Sequence, residues 1–195
     1  MKEKLTLRNA ILWTVSLVAL ILFFCSFGAK AKLSGVVEGN YVEISGKGAI
    51  WGCKSFFGMD YKGDTFYGVL SKAVGSAPGI IGAILLFLAS GGLVVISFVL
   101  ASKNEKLAKI LTFVCAGLML TAGILMFFVS GVVWKVYQQS VWDMNHVYVD
   151  IDTLKASMPG MKASSGYGVA TGIISILLAG GLVASQFIPD KKFIK

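Results

Sequence analysis

The chain has 195 residues, 56% hydrophobic and only 14% charged, with a formal net charge of +8 and a mean hydropathy of +0.78. This is the composition of a membrane protein, not of a soluble domain or a disordered tail. The positive charge does not point to nucleic acid, because the cations flank apolar runs and form no basic face interleaved with aromatics.

Four runs, 10–28, 78–101, 107–134 and 169–189, each hold roughly 18 or more uncharged residues, enough to cross about 30 Å of hydrocarbon at about 1.5 Å per residue. In lipid the backbone satisfies its own hydrogen bonds, so these runs are expected to be helices; barrel strands are shorter and alternating. The first run follows Lys2, Lys4 and Arg8 and precedes Ala29, Lys30 and Ala31, a pattern also met in signal peptides. It exceeds the usual signal core of about 7 to 15 residues, so a retained first helix is expected over cleavage near residue 31, which leaves three spans.

Residues 29–77 form a long loop that alternates apolar and polar residues around glycines. A hairpin is expected over 36–44, with Gly39 and Asn40 as its turn, and a second across Lys62, Gly63 and Asp64 among Phe56, Phe57, Tyr61, Phe66 and Tyr67. Two hairpins alone are marginal in water, so this small antiparallel sheet needs a further surface. The second and third spans are joined by a tight turn carrying Lys103, Lys106 and Lys109. After the third comes a loop over 135–168, in which Val147, Val149 and Ile151 alternate with Tyr148, Asp150 and Asp152; a fifth strand is expected there. Lys191, Lys192 and Lys195 follow the fourth span. Short lysine-rich segments stay on the cytoplasmic side, so both termini and the tight turn are expected inside, with both long loops outside a cell membrane. Lipid headgroups are the expected partner of these cations.

Apart from Lys109 at the start of the third, the spans contain no Asp, Glu, Lys, Arg or His, which argues against a proton-coupled transporter. They carry small residues at helical spacing instead, among them Gly117, Gly123, Gly168 and Gly172, where backbones can approach closely, within the bundle or against a partner. Cys25 and Cys115 lie in spans, and Cys53 stands alone in the first loop, either free or linked to another chain; no CxxC pair supports thiol redox chemistry. His146, Tyr148, Asp150 and Asp152 would share one strand face near Asp143, but at about 7 Å between successive side chains they are too spread for one ion. With a single histidine and no recognisable nucleophile or carboxylate pair, neither enzyme activity nor a cofactor is expected.

Four spans, a large strand-rich first loop, a very short inner turn and a strand in the second loop resemble the claudins and their relatives among the peripheral myelin protein and epithelial membrane protein tetraspans. Ala49, Ile50, Trp51, Gly52 and Cys53 are similar to the tryptophan and cysteine signature of the claudin first loop. Residues 116–125 with Val133 and Trp134 look like the family's third span, and 172–182 like its glycine-rich fourth. The chain departs from that pattern in having one signature tryptophan, a spacing from Trp51 to Cys53 one residue short, no second cysteine in the loop, and no terminal partner-binding motif. The resemblance implies an all-α transmembrane four-helix bundle with a small external sheet, with Trp51 anchoring that sheet against the helix ends, unless Trp51 is simply an interfacial residue like Trp134, Tyr137 and Trp142.

Two functions are expected from these features. One is a structural, adhesive or self-assembling protein whose external sheet makes the contacts, through Trp51, Cys53, Phe56, Phe57, Phe66 and Tyr67. The other is an auxiliary subunit docked on a larger membrane transporter, channel or envelope complex.

Overall fold

The computed structural model describes residues 7–35, 41–44, 48–59, 65–101 and 104–187. Its elements in chain order are α1 (Leu7–Cys25), β1 (Ala31–Ser34), β2 (Tyr41–Ile44), α2 (Gly48–Trp51), β3 (Cys53–Met59), β4 (Thr65–Val74), α3 (Ala77–Ala101), α4 (Glu105–Met126), α5 (Val132–Asn145), α6 (Ile151–Ser157), β5 (Lys162–Ser164) and α7 (Gly166–Ser185). The chain is mostly helical. Among the described residues, four helical stretches are long and apolar enough to cross a membrane: Leu7–Gly28, Ala77–Val99, Glu105–Asn145 and Gly166–Ser185.

Contacts divide the chain into two compact units: residues 1–24, 81–124 and 171–195 form one, and 25–80 and 125–170 the other. In the first unit the core is built by Leu12, Val15 and Ala19 of α1, Ala89, Leu93 and Ile96 of α3, Ala108, Cys115, Ala116 and Met119 of α4, and Ala179 and Leu182 of α7. The opposite stripes are equally apolar: Trp13, Leu17, Ile21 and Phe24 are exposed on α1, and Leu88, Val95 and Phe98 on α3. A helix in water carries polar residues on its outer face, whereas one that is apolar all round requires a hydrocarbon surrounding. The polar exceptions are satisfied within the bundle. The Ser16 hydroxyl donates to the Ser90 carbonyl at 3.0 Å, and the Ser90 hydroxyl donates to the Ser16 carbonyl at 2.9 Å. This reciprocal clasp ties α1 to α3 where water cannot compete. At one end of the unit an Arg8 guanidinium N–H donates to the Gln186 side-chain oxygen.

The second unit contains a five-stranded antiparallel sheet of order β4-β3-β2-β1-β5. The expected second hairpin is present as β3 and β4, which pair from Met59↔Thr65 inwards; its turn at Lys62, Gly63 and Asp64 lies outside the described residues. The expected first hairpin has a different opening strand. Its partner for β2 is β1, paired from Ala31↔Ile44 to Ser34↔Tyr41, so the strand begins well before residue 36. Gly39 and Asn40 lie outside the described residues.

Two expectations about the second loop are corrected. The fifth strand is not at 147–152 but at β5, which pairs with β1 through Lys32↔Ser164, Leu33↔Ala163 and Ser34↔Lys162. The alternating stretch is irregular over 147–149 and then enters α6: the Asp150 side chain accepts the Asp152 backbone N–H at 3.0 Å and caps the helix, the role in which a short carboxylate is strongest. His146, at φ 54° in the left-handed region, ends α5. The helical stretch expected to stop at residue 134 continues, through a 3-10 turn at Val129–Gly131, into α5 as far as Asn145. That extension buries Val132, Val133, Trp134, Val136, Gln139 and Ser140 along one face, which packs on the sheet. Trp134 is therefore a core residue and not an interfacial one, whereas Trp142 is exposed.

Candidate functional site: the strand-rich unit

The register gives the sheet two distinct faces. On the α5 side lie Leu33, Val42, Phe56, Gly68 and Leu70; on the other, Lys32, Glu43, Phe57 and Tyr67 align across four strands. This outer row runs from charged to aromatic. Glu43 is paired with Lys30 at 3.5 Å, while the Phe57 and Tyr67 rings meet edge to face at 5.0 Å and 81°. Both rings are exposed, Phe57 by 39% and Tyr67 by 56%, and Val69 beside them by 71%. Tyr67 and Val69 lie on β4, an edge strand with a strand neighbour on one side only, and Phe57 lies on β3 beside it. An exposed aromatic and β-branched cluster on an edge is a surface ready for a protein contact.

The inner face explains why that cluster is held rigidly. Phe56 is directly opposite Gly68, and a Cβ at residue 68 would stand 2.1 Å from the Phe56 ring. The glycine is thus a seat for the ring, which is 7% exposed. Between this face and α5 lies a cavity of about 380 Å³ lined by Val42, Phe56, Tyr137, Ser140, Asp143 and Met144.

The remainder of β4 is locked differently. Its pairing with β3 shifts between Ser55↔Val69 and Cys53↔Val74, so residues 70–73 bulge away from β3. A bulge leaves strand N–H groups in need of partners. Asp143 of α5 supplies one, accepting the Ser71 backbone N–H at 2.9 Å and the Ser71 hydroxyl at 2.7 Å. One helical turn earlier, Gln139 donates to the same carboxylate at 2.8 Å. Beside this lock is a cleft of about 260 Å³ lined by Lys72, Gln138, Gln139, Trp142 and Tyr148; Gln138 donates across it to the Val149 carbonyl at 2.7 Å.

The stretch Ala49 to Cys53 forms a compact corner. Ala49 and Ile50 are fully buried, and Gly52, at φ 107°, turns the chain from α2 into β3 in a conformation that favours glycine. Trp51 stacks on Phe27 at 5.2 Å and 9°, and its indole N–H donates to the Ser26 hydroxyl at 2.9 Å. Cys53 begins β3 opposite Val74. Its thiol is half-buried and unbonded to the other two cysteines, and burial pushes it above the ordinary thiol range.

The structure thus brings Phe57 and Tyr67 together on the outer face, places Phe56 inside, and sets Trp51 and Cys53 at the corner. Phe66 pairs with Gly58 in the backbone register, and its side chain lies outside the described ones. Among the small residues, a Cβ at Gly168 would stand 2.6 Å from the Met126 carbonyl oxygen, and one at Gly123 would stand 2.9 Å from the Gly172 carbonyl oxygen. Gly117 does not share this role, since a Cβ there meets nothing within 4 Å. His146, Asp150 and Asp152 act on the backbone as helix ends and caps, and among the described residues no three His, Cys, Asp or Glu side chains are grouped to hold a metal ion. The Ser71–Asp143 lock and the Ser16–Ser90 clasp had no sequence signal, because each joins residues more than 70 positions apart.

No protein-family model and no curated protein matches this chain.

Proposed function

We propose that this chain is a multi-pass protein of the cell membrane, with both termini cytoplasmic, that acts through protein–protein contacts of an external sheet, in the manner of the claudin-like four-span proteins. The observation that carries the reading is the exposed Phe57–Tyr67–Val69 cluster at the β4 edge. A cluster of this kind has no use to an isolated protein in water and is the composition of an interface core. The sheet that carries it is drawn from both loops, which gives it a fixed shape.

Gentle extraction from the native membrane followed by native mass analysis tests this reading. A ladder of self-assemblies, shortened by Tyr67→Lys with the melting temperature unchanged, is the expected result. A single stoichiometric complex with a different, larger membrane protein would replace it with an auxiliary-subunit role.

A further inference from the structure

Within the helical unit, α4 and α7 are in close contact at Gly123, where an added Cβ would stand 2.9 Å from both the Gly172 carbonyl oxygen and Ile176. On one side of this contact the two helices leave an outward-facing groove of about 580 Å³, bounded by Phe113, Gly117 and Leu120 on α4 and by Ile176, Gly180 and Ala184 on α7. Its lining is apolar side chains and glycine. A Cβ at Gly117 or Gly180 would meet nothing within 4 Å, so these two glycines serve no contact inside the chain and deepen the groove instead.

The groove has a polar mouth. Lys109 lies one helical turn before Phe113, and Phe187 follows Ala184 just past the end of α7; the Lys109 ammonium stands 5.8 Å from the Phe187 ring centroid. Lys109 is exposed and makes no salt bridge among the described residues, Glu105 one turn away included. Lys106, also exposed, lies on the same side of α4 by helical spacing.

We infer that this groove holds an acyl chain of an anionic glycerophospholipid, with the phosphodiester against Lys109. Charge decides the occupant: an apolar channel ending in a cation that makes no salt bridge among the described residues matches an amphiphile with an apolar tail and an anionic head. Depth agrees. At about 1.5 Å per residue the groove runs roughly 10–12 Å, against about 15 Å of hydrocarbon in one leaflet. The groove ends at the contact of Gly123 with Gly172 and Ile176, so its length suits an acyl chain within one leaflet.

The test titrates the detergent-solubilised full chain with phosphatidylglycerol and with phosphatidylcholine of identical chains, read by native mass spectrometry. The wild-type chain is expected to retain one phosphatidylglycerol. Gly180→Leu fills the groove and should weaken retention about tenfold, since each buried methylene is worth a several-fold change in affinity. Lys109→Gln should reduce the preference for phosphatidylglycerol about fivefold while leaving phosphatidylcholine retention unchanged. Residue 180 faces open space, so an unchanged melting temperature in Gly180→Leu separates groove filling from misfolding; Gly180→Ala, with a smaller loss, serves where leucine is not tolerated. Equal retention of both lipids by wild type and variants overturns the inference. So does a wild-type dimer that Gly180→Leu converts to monomer, because the groove then takes a helix of a second copy.

Discussion

The Asp143 carboxylate accepts both the backbone N–H and the hydroxyl of Ser71, 72 positions away in the chain. One side chain of α5 thereby finishes the hydrogen bonding of a strand that β3 has stopped pairing. Edge strands invite pairing with other chains, and here the Ser71 N–H is already taken by the helix.

Asp143→Ala should therefore release residues 70–73 without unfolding the sheet. Hydrogen exchange at the Ser71 amide is expected to accelerate at least tenfold, with Phe56 and Phe57 amides unaffected. Unchanged protection at Ser71 would mean that the bulge is held by something other than this carboxylate.

The fit of Phe56 on Gly68 predicts strong non-additivity. Gly68→Ala should cost about 1–3 kcal/mol of stability, because the ring cannot remain where a Cβ would stand. Phe56→Ala alone should cost about 3 kcal/mol or more. Together the two should cost clearly less than their sum, measured by thermal melting in one detergent; simple additivity would show that the ring and the glycine do not depend on each other.

Trp51→Phe keeps an aromatic ring over Phe27 and removes the hydrogen bond to Ser26. A loss of about 1 kcal/mol is expected, against about 3 kcal/mol for Trp51→Ala. If both variants melt alike, the stacking contributes nothing and Trp51 acts only through its N–H.

Burial raises the Cys53 thiol above its ordinary pKa, and the thiolate is the reactive species. Maleimide labelling of Cys53, followed by peptide mass analysis, should be slow at pH 7 and rise about tenfold per pH unit towards pH 9. Rapid labelling at pH 7 would show a thiol more accessible than its half-buried place beside the Val74 carbonyl, 3.9 Å away, permits.

The four long apolar helices were legible because uncharged runs of this length are rare outside a bilayer, and the β3–β4 hairpin because its strands adjoin in sequence. The stretch from Val147 to Asp152 was not, since six alternating residues look the same whether they form a strand or the approach, cap and first turn of a helix. What distinguishes them is the bond from the Asp152 N–H to Asp150. Helix α5 was hidden by Lys135, Gln138, Gln139 and Asp143, whose polarity reads as loop. Their spacing suits a helix with one face on a sheet, and the buried Gln139 is satisfied only by partners brought from β4 and α5. The seats at Gly123 and Gly168 were visible as small residues, but the difference between them and Gly117 depends on which neighbour each one faces.

The pairing of β1 with β5 carries a consequence for biogenesis. β1 leaves the ribosome among the first strands, yet its outer edge stays bare until β5 is made, and the Ser165 hydroxyl that donates to the Lys30 carbonyl arrives 135 residues after it. Between those moments lie α3, α4 and α5. The fifth strand joins only when β5 reaches the same side as β1, so a chain with a skipped or inverted span keeps β1 paired with β2 alone and one edge of it bare.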